Sequence, residues 1–335
     1  MFTPFFFSRR WWPWSIAGSI LILYATWYRV GLDVRVNEWF GGFYDMVQEA
    51  LAKPGSASLP EFWRQLTTFG ELAMLYVTIA VVLEFFIKHF IFRWRQAMND
   101  HYMAHWEQLR SIEGAAQRVQ EDTMRFARIM EGLGVEFMRS LMTLAAFLPI
   151  LWTLSEKITE LPWVGPVPHA MVWVAILSAM SGTVLLAVVG FKLPGLEFQN
   201  QRVEAAYRKE LVYGEDDPTR AGPPTVAHLF GDVRRNYFRL FFHYLYFDVA
   251  KWSYLQFSVL IPLIALAPTV VAGVITLGVM QQITRAFDRV EGSFQFLVLS
   301  WSTIVELISV YKRLRAFERQ IVARPVAGAE ASGPV

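Results

Sequence analysis

The 335 residues are 54% hydrophobic and 16% aromatic, with 18% charged and a net charge of +2. The charged fraction falls below the ~25% usual for soluble domains, and so small a net charge, with no basic stripe interleaved with aromatics, argues against a nucleic-acid partner. The absence of cysteine excludes disulfides, thiolate nucleophiles and cysteine-based metal sites.

Read in chain order, Arg9 and Arg10 precede an apolar run at about 11–32. It is too long for a cleavable secretory signal and has no small-residue cleavage site, so it is expected to remain as a membrane span. Further runs at about 70–92, 136–156, 170–192, 240–267 and 270–298 are each long enough, at roughly 20 helical residues, to cross ~30 Å of hydrocarbon. Helices satisfy their own backbone groups in lipid, so the expected fold is all-α and integral to the membrane, with about six transmembrane helices. The expected organisation is one transmembrane domain over 1–320 followed by a flexible tail at 321–335, rich in Ala, Gly, Pro and Ser.

Lys and Arg set the expected orientation. They crowd the N-terminus, the connections at 93–128 and 202–235, and the stretch at 312–324. The segment at 157–169 has only Lys157, and the turn expected near Pro268 has none. The positive-inside rule then places both termini and the two long connections in the cytoplasm, and an amphipathic loop at 33–69, bearing Trp39, Phe40, Phe43 and Tyr44, outside. Residues 95–131 and 197–213 are rich in helix formers and read as helical extensions of the spans beside them, reaching beyond the bilayer. Gly214–Pro218 and Gly222–Pro224 mark a turn between extensions.

Polar residues in the apolar runs carry the functional signal. Positions 281, 285, 288, 292, 295, 299, 302, 306, 309 and 313 follow a 4-3 spacing along one helix face. That stripe includes Gln281, Arg285, Asp288, Gln295, Ser302 and Glu306. Charges facing lipid cost several kcal/mol, so the stripe reads as lining water or pairing with protein. A wet cytoplasmic helix beyond Gln281 would show the same spacing, but Phe294, Phe296 and Trp301 would then face bulk water. In the fifth span Asp248 and Lys251 stand at i, i+3 and can pair. Glu113, Gln117 and Glu121 share one helix face, as do Glu197, Gln201, Glu204 and Arg208. Carboxylates partly desolvated in a cavity can exchange protons near neutral pH, although the same spacing also suits solvated faces of cytoplasmic helices.

Enzymatic signals are weak. His101 and His105 have an i, i+4 spacing but no accompanying His-Glu-x-x-His motif, so no metal is expected. There is no G-x-x-x-x-G-K-[ST] loop, no G-x-S-x-G elbow and no Ser/His/Asp set. The expectation is a non-enzyme without cofactors.

Several runs resemble the SbmA/BacA family of bacterial inner-membrane peptide transporters: Phe92–Asn99, Ile112–Phe126, Lys192–Phe198, Asn200–Asp217, Asn236–Leu240 and Tyr311–Arg315. The similarity extends from about Trp14 to Phe317. It implies a fold like the transmembrane domain of an ABC exporter without the ATPase domain, assembled as a homodimer with long cytoplasmic helices. It also implies proton-gradient-driven import of peptides across the inner membrane, including microcins, proline-rich peptides and bleomycin-like compounds. Glu113, Glu121, Glu197, Glu204 and Glu210 lie in the matching motifs and become proton-relay candidates, with Glu306 a further one. Gln281, Arg285, Asp288, Gln295, Ser302, Asp248 and Lys251 become cavity-lining candidates. The implied partners are a second copy, peptides, protons and membrane lipids, with no nucleic acid. Typical members carry an extra N-terminal segment, so this chain resembles a shortened one. Two other readings stay open, a permease whose ATPase is a separate polypeptide and a non-transporting protein of envelope or lipid organisation.

Overall fold

The computed structural model describes residues 1–112, 114–158 and 160–323. Six long helical runs dominate them, each long and apolar enough to cross a membrane: Pro13–Ala52, Leu59–Ala104, Ala115–Ser155, Ala170–Asp216, Pro223–Val271 and Leu277–Ile321. Each has 40 to 49 residues. At ~1.5 Å per residue that is about 60–70 Å, roughly twice the ~30 Å of a hydrocarbon core. The fold is therefore all-α, with six candidate membrane-spanning helices and long extensions.

Within these runs we label α1 (Gly18–Ala52), α2 (Leu59–Ala104), α3 (Val135–Ser155), α4 (Ala170–Gly190), α5 (Leu193–Asp216), α6 (Pro223–Ser258), α7 (Leu260–Val271), α8 (Leu277–Leu299) and α9 (Trp301–Ala323). Three π-helical turns, Pro13–Ala17, Arg118–Asp122 and Met130–Gly134, interrupt the α-helical ladder. Such turns re-aim the side chains on either side of them and recur at functional sites.

Four local expectations are revised. The loop expected at 33–69 is two helix ends, because α1 continues to Ala52 and α2 starts at Leu59. The true connection is tight: Gly55 takes φ +89°, and the Ser58 hydroxyl accepts from Glu61 N at 3.3 Å as an N-cap. The connection at 95–131 is broken rather than continuous, since the chain turns at 110–112 and Gly114 takes φ +73°. Pro268 lies inside α7 instead of at a turn. The helix stops a few residues later, where Gly273 takes φ +67° and Val274 N donates to Thr269 O at 3.2 Å, a glycine-terminated helix end. The sixth span accordingly begins at Leu277 and not at 270. Of the tail expected at 321–335, residues 324–335 lie outside the described residues, while 321–323 continue α9.

The chain packs as two compact units, one made of Met1–Ala175 with the chain from Leu266 onward, the other of Ile176–Ala265. In the first, a core at the N-terminal end joins Phe5, Trp11, Phe90, Trp94, Phe126 and Phe317. The indole of Trp94 stacks on Phe5 at 5.9 Å and meets Phe126 edge-on at 5.3 Å. Two glycines bring α1 and α8 together. A Cβ on Gly41 would overlap the Gln282 side chain, and one on Gly278 would overlap the Gly41 carbonyl. Close backbone approach at small residues is how membrane helices gain packing where lipid is as apolar as the side chains. Asp45 and Gln48 then accept from the first amides of α8, Gly278 N at 2.9 Å and Leu277 N at 2.7 Å.

In the second unit α5 lies against α6 through Leu193, Leu196, Leu240, Tyr244 and Phe247. Asn236 Nδ2 donates to Asn200 Oδ1 at 3.1 Å, a buried amide pair that sets their register. Across both units many large apolar side chains stay exposed, among them Tyr24, Trp27, Val81, Phe85, Phe241 and Trp252. So much apolar exposure is untenable in water and expected against lipid.

Candidate functional site

The relay candidates fall into separate settings. Glu121 sits in the second π-helical turn, where Arg125 Nη2 donates to it at 2.7 Å and Gln117 Nε2 at 3.0 Å. The same Arg125 approaches Glu306 of α9 at 3.6 Å, so one guanidinium bridges two carboxylates placed far apart in the chain. The next residue, Asp122, is 4% exposed and takes a two-pronged contact from Arg313, Nε at 3.0 Å and Nη2 at 2.7 Å. This geometry fixes α9 against the turn, and such fork-to-carboxylate pairs are the stronger kind of ion pair. Asp122 was not among the sequence candidates because it stands off the Glu113/Gln117/Glu121 face. Glu113 lies outside the described residues.

In the second unit Glu197 accepts from the Tyr244 hydroxyl at 2.8 Å. Glu204 shares its face of α5, half-buried. Glu210 holds the following turn, accepting from Arg220 Nη2 at 2.7 Å and Ala221 N at 3.1 Å. Beside it, Asp217 accepts from both the amide and the hydroxyl of Thr219. Those two bonds hold its carboxyl below the ordinary carboxylate range. The pair expected between Asp248 and Lys251 does not form; Lys251 lies over the Trp252 ring at 5.6 Å instead.

The third setting lies along the candidate membrane-spanning helices and was only partly visible in the sequence. Asp33 of α1, its side chain 11% exposed, accepts from Arg289 Nη2 of α8 at 2.8 Å. The Arg285 guanidinium carbon lies over the Phe40 ring, 3.8 Å from its centre. Arg29 of α1 donates to the Tyr76 hydroxyl of α2 at 3.0 Å. On α3, Arg139 Nε donates to Glu136 Oε2 at 2.9 Å, and a second Arg139 nitrogen contacts the other Glu136 oxygen. Glu291 is 6% exposed, with Gln295 Nε2 donating to it at 3.2 Å. The Ser140 hydroxyl donates to Ser293 O at 3.0 Å, joining α3 to α8.

The 4-3 stripe located Arg285 and Gln295 in this network and Asp288 beside Arg289 in the pocket next to it, but not Arg289 or Glu291, which project from neighbouring faces. Asp33 was missed because the first span was ended one residue before it. The available signal was the i, i+3 pair Glu136/Arg139 at the start of an otherwise apolar run. Gln281 and Ser302 lie on α8 and α9, outside the network's hydrogen bonds. Among the described residues no group of three or more His, Asp or Glu side chains could hold a metal ion.

An all-α fold with six candidate membrane-spanning helices, tied to one another by ion pairs, defines a multi-pass membrane protein. The chain matches the SbmA/BacA-like family over residues 8–322 and belongs to that family. It is similar to the inner membrane ABC transporter ATP-binding protein YddA of Escherichia coli K12, with 24% identity over 93% of this chain and 58% of that protein. An uncharacterized ABC transporter ATP-binding protein of Synechocystis sp. is 23% identical over 92% of this chain and 47% of its own length. Another from Haemophilus influenzae is 23% identical over 73% and 43%. The chain thus spans about half the length of the curated relatives it matches.

Proposed function

We propose that this protein is a transporter of the bacterial inner membrane that imports peptides down the proton gradient, working as a homodimer by alternating access. The supporting observation is the set of carboxylate–guanidinium contacts held within apolar membrane-spanning helices, Asp33–Arg289 and Glu136–Arg139. Charges kept along membrane-spanning helices are costly and recur where ions or protons move. Family membership supports the same reading. In the cycle we infer, protons entering from the periplasm neutralise carboxylates, and the balance between outward- and inward-facing states shifts because the two states hold those groups in different ion pairs. Substrates are cationic or proline-rich peptides and comparable bulky solutes, to which a cavity lined by carboxylates is complementary in charge. Glu121 in the first unit, and Glu197 and Glu204 in the second, would carry protons within their own units, and Glu210, which ties a turn, would hold the fold.

A second reading, a permease driven by ATP, is favoured by the names of the relatives, which are ATP-binding proteins longer than this chain. Uptake of a fluorescent proline-rich peptide into proteoliposomes holding only this protein separates the readings. The expected result is accumulation under an inward proton gradient, abolished by a protonophore and indifferent to ATP. Accumulation that requires ATP and an added ATPase subunit, with no response to the gradient, would replace our reading by the second.

A further inference from the structure

Two polar pockets meet at one side chain. The first, about 170 Å³, lies between α3 and α8, where Arg139, Ser140, Asp288, Arg289 and Gly292 line it together with Glu136. The second, about 620 Å³, lies between α2 and the third π-helical turn, and is lined by Arg29, Glu84, Arg128, Glu131, Gly132 and again Glu136. Each is large enough for several waters, which need ~30 Å³ apiece and polar partners. Each supplies those partners from both signs of charge.

We propose that Glu136 passes protons between these two pockets, so that a proton route runs inside the helices of a single chain; this rests on the proton-coupled reading above. Four features carry it. Glu136 lines both pockets, whereas Asp288 and Arg289 line only the first and Glu84 and Glu131 only the second. Its neighbour Arg139 holds both of its oxygens from one turn further along the same helix, and the Glu136 side chain remains 43% exposed. The third π-helical turn ends two residues before it and presents Gly132, without a side chain, to the second pocket. Finally, α3 and α8 run in opposite directions, with Phe137 near Phe296 and Ser140 bonded to Ser293. Asp288 and Glu131 are consequently displaced to opposite ends of the helix pair relative to Glu136.

The charged groups that face Glu136 are Arg139 on its own helix, Asp288 and Arg289 on α8, Arg29 on α1, Glu84 on α2, and Arg128 and Glu131 on the segment leading into α3. In the transfer, a hydrated proton in the Asp288 pocket moves to a Glu136 carboxylate oxygen and leaves water behind. Glu136 becomes a neutral acid, and its ion pair with Arg139 weakens. The acid then gives its proton to water in the Glu131 pocket, and the carboxylate with its Arg139 contact is restored. Besides Glu136 the first pocket holds one carboxylate, Asp288, and the second two, Glu84 and Glu131, whereas a purely structural ion pair needs one partner and little water.

The full chain reconstituted with a pH-sensitive dye inside the vesicles tests this, with a cationic proline-rich peptide as probe. Peptide-linked proton entry and peptide counterflow, the exchange of labelled for unlabelled peptide without a gradient, are measured side by side. Glu136→Gln is expected to lose proton entry and gradient-driven accumulation while counterflow persists, and Glu136→Asp to recover part of the proton entry. Gly292→Leu supplies an independent arm: Gly292 lines the first pocket and a Cβ there meets nothing within 4 Å, so the substitution narrows that pocket without replacing a carboxylate. It should likewise uncouple proton entry from exchange. Wild-type proton entry in either Glu136→Gln or Gly292→Leu overturns the route. A wild-type protein that exchanges peptide without moving protons fails earlier, and overturns the proton-coupled reading itself.

Discussion

At the scale of single residues, the Asp33–Arg289 pair is the clearest case of two charges that hold each other in place. Asp33 is 11% exposed and Arg289 37%, so removing one partner costs less than the ~3–5 kcal/mol of a fully buried pair, in which the survivor keeps its desolvation penalty without its Coulomb gain. Asp33→Ala is therefore expected to lower the thermal midpoint in detergent by several degrees. Replacing both, as Asp33→Leu with Arg289→Met, should recover most of that loss while impairing gradient-driven uptake; differential scanning fluorimetry beside the uptake assay checks both halves. Asp217 behaves differently because it is solvent-exposed. Its carboxyl is held below the ordinary range by Thr219, so the bonds are intact above the unfolded value of ~3.9 and are lost as pH falls through the lower folded value. Hydrogen exchange at the Thr219 amide should accelerate only in strong acid for the native protein, and already at neutral pH in Asp217→Ala.

At the scale of elements, helix contacts are decided by where side chains are missing. Gly41 and Gly278 let the backbones of α1 and α8 touch, and Asp45 and Gln48 then cap α8. Gly278→Val should separate the two helices and displace Arg285 from Phe40 and Arg289 from Asp33, which lie further along the same interface. The expected outcome is a drop in thermal midpoint larger than that of Asp33→Ala, together with loss of uptake. Gly31→Ala, where a Cβ meets nothing within 4 Å, should be nearly silent in the same assays. The π-helical turns act at this scale too: the one at Arg118–Asp122 turns Asp122 toward Arg313 while Glu121 keeps Arg125. Hydropathy conveys none of this, because a π turn leaves the composition of a helix unchanged.

At the scale of the whole molecule, the proposed cycle requires two copies, and the protein in native-like nanodiscs should have twice the 38.5 kDa of one chain. Light scattering that returns a single copy for transport-competent protein would remove the homodimer from the mechanism. By itself the sequence determined the all-α class, the six apolar helices and the family, because each rests on composition and order along the chain. Lipid punishes exposed backbone and charge so strongly that apolar length alone reports a span. It also located Arg285 and Asp288, since their spacing matches one face of one helix. Only the tertiary structure decided which charges meet. Asp33 finds Arg289 across 256 residues, Asp122 finds Arg313 across 191, and Glu136 stands between two pockets that no single helix contains. Those meetings depend on glycine contacts, helix-end turns and π-helical offsets of about one residue, and a one-residue offset turns a helical side chain by ~100°, enough to move a charge from one neighbour to another.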